Sequence, residues 1–383
     1  MKKRFGIVLV IVLAFTLMVG CSGNSGGSGA SGGGAGSGAS GGNAGAGASS
    51  GGGGTAASDD QTWHMIAAYS KNEATMTEIV NTCDRITERT NGRVTFEHFF
   101  NYALLSVDEI PRGVASGTAD IADMVLSHFP DYFPVSFGLV DLPFTGMTEK
   151  SLWAYHQLYD EFQYIEDEYT KNNVKLLGHS MSFPMVLQLT KDIDIRTLND
   201  LNGLKIIATS IVSSAVIAAG GGAAIDLALP DFYNALSSGV ADGILVHTPA
   251  VLGVGGLELI NRIIYFGPDE SAGFNRQICS FVINLDTYNS LPPDIQAIFD
   301  EEFVRFEIDY KDWSTNITKK QADDILAERN TPGSFLTDEE VATFREPAMV
   351  YINENLDKIN ALGYPGTEMY NRMMEIIREQ NAS

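Results

Sequence analysis

The chain has 383 residues, with 48 acidic against 25 basic side chains and an apolar fraction of 44%. That length and apolar content suit two lobes, each with its own core. The acid excess argues against a nucleic-acid partner, because no basic footprint is available to neutralise phosphates, and it speaks for solubility rather than for any substrate.

Lys2, Lys3 and Arg4 precede an apolar run from Ile7 to Val19 and then the stretch LMVGCS. This is the pattern of a secretory signal peptide over residues 1–20, too short to serve as a permanent anchor. Cys21 behind Val19 and Gly20 resembles a bacterial lipobox. That resemblance implies diacylation of Cys21 and a tether on the extracytoplasmic face of a membrane, with the two chains that stable anchoring requires. The alternative is an ordinary signal peptide cut elsewhere. Residues 21–60 then form a Gly/Ser-rich linker, a flexible coil reaching about 35 Å. Loss of the three leading cations leaves 22 basic and 48 acidic side chains, a net charge of −26.

From there the chain reads as alternating strands and helices. A strand is expected over Thr62–Tyr69, followed by an amphipathic helix over Ala74–Thr90 with Met76, Ile79, Val80, Cys83 and Ile86 on its apolar side. Asn91-Gly92 marks a turn, and Val94–Phe100 alternates as a strand. A short helix is expected over Val107–Ser116, ended by Gly117, then a strand over Ile121–Leu126. One solvated helix is expected over Glu149–Asn172, and strands over Val174–His179 and Phe183–Thr190. The chain is expected to cross to a second lobe near Asp192.

The stretch from Asp200 to Pro249 carries the fold class. Leu204–Ala208 is a short apolar run after Gly203, as in a buried parallel strand. A packed helix over Ile211–Ala219 ends at Gly220–Gly222. A strand over Ile225–Leu229 precedes a helix opened by Pro230 and Asp231. Gly239 closes that helix, and Val240–Val246 leads into the next strand. Two crossovers in so short a stretch predict a parallel, doubly wound α/β sheet. Ligands of such sheets lie outside the carboxyl ends of the strands, so Ile207–Ser210, Leu229–Asp231 and Ile244–Thr248 are expected on a pocket rim. The return crossing is expected in a strand over Gln277–Asn284. A long helical stretch over Asp294–Arg329 follows, with two or three helices from Thr337 to Gln380.

The order GLKI, Gly-rich turn, DFYNALSSGVADG resembles the solute-binding proteins of tripartite ATP-independent periplasmic (TRAP) transporters, in their dicarboxylate-binding, DctP-like branch. TERTNGRVTFEHF with LLSVDEIPRGVASGTADIADMV, DLPF at Asp141–Phe144, and FVINLDTYNSLPPDIQAIF at Phe281–Phe299 agree with it in order. The resemblance implies a two-lobed α/β clamp like the type II periplasmic binding proteins, with hinge strands and a long bracing helix. It places lobe I at residues 61–190 plus 277–320 and lobe II at 191–276 plus 321–383. It implies an extracytoplasmic receptor, not an enzyme, that needs no cofactor and hands a small molecule to membrane permease subunits. A sensor input to a membrane signalling protein is the alternative.

The site departs from the family pattern. Receptors of this family hold a ligand carboxylate with an Arg after the GLKI strand, where two parallel charge-assisted hydrogen bonds form. Here Ile207 stands at that position, and Ile244, Leu245 and Val246 replace the polar residues that usually follow the ADG turn. Either the pocket accepts a more apolar or neutral ligand, or the carboxylate clamp has moved to Arg276, Arg112 or Lys71. An unpaired carboxylate in an apolar pocket costs several kcal/mol, which argues against a small dicarboxylate. Tyr69, Met181, Phe183, Met185 and Phe232 lie near expected strand ends and suit a flat or apolar ligand body, with core packing the competing reading for Met185 and Phe232. His179 and His247 are expected on the cleft side as hydrogen-bond partners. The ligand-binding set is therefore Tyr69, Lys71, His179, Met181, Phe183, Ile207, Thr209, Leu229, Val246, His247 and Arg276. Tyr233 and Asp242 belong to the family pattern, with Asp242 read as a turn-builder. Cys83 and Cys279 show no CxxC spacing and read as buried free thiols, with a disulfide between them as the alternative. The six histidines show no metal-binding spacing, and no nucleophile elbow, phosphate loop or dinucleotide fingerprint occurs.

Overall fold

The computed structural model describes residues 61–71, 75–140, 142–146, 152–227 and 229–382. The signal peptide, the linker and Cys21 lie outside the described residues. These described residues form one compact unit.

The first part of the chain runs β1 (Trp63–Ala68), α1 (Thr77–Arg89), β2 (Val94–Phe99), α2 (Ile110–Ala115), β3 (Ile121–Val125), α3 (Pro134–Val140), α4 (Leu152–Glu161), α5 (Gln163–Lys171) and β4 (Val174–Met181). Helix α1 buries Ile79, Thr82, Cys83 and Ile86, a spacing that makes one apolar stripe, and Asn91 and Gly92 stop it with positive φ. The single helix expected over 149–172 is two helices, because Phe162 between them is extended and packs against the lobe core.

The second part runs β5 (Val186–Leu189), β6 (Lys205–Ala208), α6 (Ile211–Ala219), β7 (Ala223–Ile225), α7 (Phe232–Ser237), β8 (Gly243–Val246), α8 (Thr248–Gly253) and β9 (Arg262–Tyr265). Helix α6 starts at a capping box formed by Ser210 and Ser213. The strand expected over Ile225–Leu229 sits earlier, because Ala223–Ile225 are the residues that pair with β6. The chain returns through β10 (Ile278–Asn284), α9 (Leu285–Ser290) and α10 (Pro293–Trp313). It continues through a π-helical turn, Ser314–Lys319, into α11 (Lys320–Glu328), then β11 (Gly333–Phe335), α12 (Asp338–Ala361) and α13 (Gly366–Ala382).

Two sheets result, ordered β2-β1-β3-β10-β4 and β11-β9-β5-β8-β6-β7. In the first, β1 is parallel to β2 and β3, while β10 is antiparallel to β3 and β4. In the second, β6 is parallel to β7 and β8, as the two crossovers predicted, while β5 is antiparallel to β8 and β9. The antiparallel strand of each sheet is the one that enters from the other lobe. The crossing therefore lies in residues 182–185, ahead of the boundary expected near Asp192, since Val186–Leu189 already pair with β8. The C-terminal helices also depart from the expected division. Helix α13 packs on α3 and α4 of the first lobe, and α12 touches both α3 and α6.

Each sheet is covered on both faces, so its strands are almost continuously apolar. Met65, Ile121, Phe281 and Ile283 meet Phe299, Phe303 and Phe306 of α10 on one face of the first sheet. Ala122, Met124 and Val282 meet α3, α4 and α13 on the other. The second sheet buries Ile206, Ala208 and Leu245 towards α6 and α12, and Ile207, Ile244 and Val246 towards α7 and α11. The 21-residue α10 is clasped to the first lobe at two points. Buried Glu302 accepts from Arg85 Nε at 2.6 Å and Arg89 Nη1 at 2.9 Å. Buried Glu307 accepts from the His179 backbone N–H at 2.6 Å and faces His156 Nε2 at 2.8 Å. Gly178 makes room for this second clasp, since a Cβ there would lie 3.1 Å from Glu307 Oε1. Both expected thiols, Cys83 and Cys279, are free and buried.

Candidate functional site

The strand polarities bring several residues to one edge. The carboxyl ends of β1, β2, β3 and β4 deliver residues 69–71, 100–102, 126–128 and 182–183. The amino end of β10 adds Arg276 and Gln277. The matching ends of β6, β7 and β8 deliver Thr209, Asp226 and His247. This is the crevice position at which open α/β sheets bind ligands.

A buried acid organises the first-lobe side. Asp123 is fully buried inside the otherwise apolar β3 and accepts from the Ser70 backbone N–H at 2.6 Å. It also accepts from the Ser70 hydroxyl and from Cys279 Sγ at 3.6 Å. Asn101 and Tyr102 both adopt positive φ, which turns the chain after β2 so that the Tyr102 hydroxyl meets Ser70. Such backbone conformations are sparsely populated for side-chain-bearing residues and are retained where the surroundings dictate them. Lys71 completes the cluster. Burial pushes its ammonium down, but Tyr310, Cys279, Asp123 and Tyr102 outweigh that and raise it above the ordinary lysine value. Lys71 is thus a firmly charged cation at the first-lobe edge.

On the second-lobe side, His247 caps α8, its Nδ1 accepting from the Ala250 N–H at 3.2 Å. Burial and the nearby Lys71 charge push this imidazole down to about 3. Thr209 donates its hydroxyl to Leu245 O at 3.2 Å and to Met185 Sδ at 3.8 Å.

The other expected site residues divide sharply. Tyr69 turns into the first-lobe core, where its ring stacks on His98 and its hydroxyl meets His98 Nδ1 at 3.3 Å. His179 is fully buried, with Nδ1 3.1 Å from the Ser280 hydroxyl and its ring edge-on to Tyr155. Ile207 and Val246 are buried among Val186, Phe232 and Ile244. These four are core residues, because strand-end position fixes the end of the sheet and not the face. Met185 and Phe232 are core residues as well. Leu229 is exposed at 41% on a short 3-10 turn, and Arg112 is exposed on α2. Met181 and Phe183 are half-buried at the crossing. Arg276 is buried there too, donating from Nη1 to Ser182 O at 3.3 Å. Asp242 accepts from the Lys205 N–H at 3.0 Å and Lys191 Nζ at 2.7 Å, which is turn-building. The sequence reading missed Asp123, Ser70 and Tyr102. The signal was available, since an acid inside the run IADMV is seldom buried without a purpose.

One buried and one half-buried histidine make the fold sensitive to acid. An unfolded imidazole takes up a proton near pH 6.5, whereas native His179 and His247 are held well below that by burial. Their contribution is therefore complete above pH 6.5 and is lost as pH falls, by about 1.4 kcal/mol per pH unit for each histidine that stays unprotonated. The melting temperature is expected to drop steeply between pH 6 and pH 4.5. His179→Phe is expected to flatten that slope, as thermal melts across the range can measure.

The fold and the cleft define a two-lobed binding protein. A family model for bacterial extracellular solute-binding proteins, family 7 (DctP), matches residues 66–358. The chain belongs to that family, whose members are receptors that bind solutes outside the cytoplasm. Solved structures agree in fold. A TRAP solute-binding protein from Rhodoferax ferrireducens in complex with copurified benzoate superposes with a TM-score of 0.71 at 19% identity, over 83% of this chain and 98% of that one. DctP7 of Bordetella pertussis, binding pyroglutamic acid, gives 0.68 at 18% identity, over 82% and 99%. A marine metagenome TRAP solute-binding protein in complex with metahydroxyphenylacetate gives 0.72 at 18%, over 83% and 99%. Among the described residues, no helix is long and apolar enough to cross a membrane.

Proposed function

We propose that the protein is the extracytoplasmic receptor of a TRAP-type secondary transporter. It captures a small organic acid with apolar character by lobe closure and delivers it to membrane permease subunits. The observation that carries this reading is Lys71, which follows the carboxyl end of β1 at the crevice edge of the first sheet. Asp123 is its first-lobe carboxylate neighbour, and a ligand carboxylate in the cleft is a further acceptor of the kind an ammonium favours. With Ile207 buried in the second-lobe core, the clamp does not use the family's arginine position. The half-buried Met181 and Phe183 at the crossing offer apolar surface for the remainder of the ligand. Relatives of the same fold bind benzoate, metahydroxyphenylacetate and pyroglutamic acid, which are carboxylic acids with ring bodies. Diacylation of Cys21 would keep the receptor at the membrane within reach of its permease.

A thermal-shift screen tests the reading, using residues 57–383 with aromatic monocarboxylates, dicarboxylates, uronic acids, amino acids and neutral apolar solutes. An acid at a hundredfold its dissociation constant is expected to add about 2.7 kcal/mol, a rise of several degrees. Stabilisation by neutral solutes alone would favour a neutral-ligand receptor. A response to no class would favour the sensing role.

A further inference from the structure

The segment that follows α3 leaves its own lobe. It lies between two first-lobe helices, α3 and α4, and its Leu142 is buried in the first-lobe core. Phe144, two residues later, packs instead on the second-lobe cluster. Its ring meets Phe274 and Phe266 edge to face, with centres 5.0 and 5.9 Å apart. The guanidinium of Arg345, on the second-lobe half of α12, lies over the same ring at 5.9 Å from its centre. The Phe144 N–H donates to Phe274 O at 2.8 Å, and the Phe274 N–H donates to Met185 O at 2.7 Å. The arm is therefore bonded, through the return segment, to the crossing itself.

The backbone of Phe144 has a φ of +55°. A bulky side chain seldom takes this left-handed conformation, which persists where surrounding contacts dictate it. Here those contacts belong to the other lobe. Two residues of chain reach at most about 7 Å, so Phe144 cannot follow a moving second lobe far from Leu142. Docked, the arm keeps its strained turn against second-lobe partners; undocked, it loses them and the backbone relaxes. This is one element with two states, and the lobe arrangement selects between them. The docked state goes with a shut crevice at this corner. Leu142 and Pro143 line a small cavity together with Ser127 of the first-lobe edge and Ser210, Ile211 and Val212 at the start of α6.

We infer that residues 142–146 form a latch that stabilises the closed arrangement of the lobes, with Phe144 as its bolt and Phe266, Phe274 and Arg345 as its seat. The inference rests on the two-lobed clamp and not on which ligand the cleft takes. A contact made only in the closed form raises the closed population, and with it the affinity for any ligand that needs closure. Phe144 is half-buried and Arg345 exposed, so the seat can be vacated without unfolding either lobe.

Double electron–electron resonance tests this on ligand-free protein carrying spin labels at exposed Asp167 of α5 and exposed Ser238 after α7. The wild type is expected to show a closed, short-distance component beside an open one. Phe144→Ala is expected to lower the closed-to-open ratio about tenfold, and Arg345→Ala about threefold. Phe144→Leu keeps apolar contact with Phe266 and Phe274 but gives Arg345 no ring. It is expected to match Arg345→Ala, and combining the two is expected to add nothing further. Arg345→Ala is expected to melt within about two degrees of the wild type because the side chain is exposed, which separates a shifted lobe equilibrium from a weakened fold. The two milder variants carry the test if Phe144→Ala does not fold. An unchanged ratio in Arg345→Ala and Phe144→Leu, additive losses in their combination, or a wild type with no closed component overturns the latch. Because no ligand is present, failure of the organic-acid reading leaves this measurement untouched.

Discussion

Glu307→Ala is expected to lower the unfolding free energy by about 3 kcal/mol, in the range measured when one partner of a buried charged network is removed. Glu307 lies on the long helix that continues through a π-helical turn towards the second lobe. It is buried against β4, where it accepts the His179 backbone N–H and meets His156. Truncation leaves that N–H buried without an acceptor and opens a cavity beneath α4. Glu307→Gln keeps one acceptor oxygen and is expected to cost roughly half as much. Chemical denaturation checks this as a fall in the midpoint with an unchanged slope. A control at the exposed pair Lys320–Asp324 is expected to change stability by less than 0.5 kcal/mol. Exposed pairs contribute little beside a buried network.

Lys71→Met is expected to weaken carboxylate binding by roughly a hundredfold and also to lower the melting temperature of the ligand-free protein. The first number follows from about 2.7 kcal/mol for a charge-assisted contact in a partly desolvated cleft. The second effect follows because Lys71 is the cation beside buried Asp123, which the substitution leaves uncompensated. Lys71→Arg is expected to keep part of the affinity, since the charge survives but its fork does not fit the place of an ammonium. Arg276→Ala separates the two cations of the cleft. Its guanidinium already serves the Ser182 carbonyl at the crossing, so its loss is expected to show first as destabilisation. Calorimetry on the three variants with one screened acid discriminates these outcomes.

Much of the fold was legible because local pattern and tertiary environment agree. Helix α6 runs from Ile211 to Ala219 as its apolar stretch and glycine stop predict, and β6 with its parallel neighbours follows from the two short crossovers. The errors fall where tertiary pairing decides. Ile225–Leu229 is apolar enough for a strand, yet the residues that find hydrogen-bond partners on β6 are Ala223–Ile225. The run 149–172 is helical by composition, yet Phe162 leaves the helix to reach the core. The crossing was placed late because an antiparallel strand entering from another lobe leaves no local mark that distinguishes it from a continuing one.

The site was half legible. Residues at strand ends were identified correctly as an edge, but sequence position does not say which face a side chain takes. Lys71 and His247 lie half-buried just past strand ends, while Tyr69, His179, Ile207 and Val246 are buried in the lobe interiors. Asp123 went unread because it was taken as part of an apolar strand. It proves to be the group around which Ser70, Tyr102, Cys279 and Lys71 assemble.

The central claim is capture of an organic acid by closure of two lobes, and small-angle X-ray scattering with and without a saturating acid from the screen tests it most directly. The radius of gyration of residues 57–383 is expected to fall on binding, and the fall is expected to vanish in Lys71→Met at the same ligand concentration. A saturated receptor whose scattering is unchanged from the ligand-free protein would contradict capture by closure.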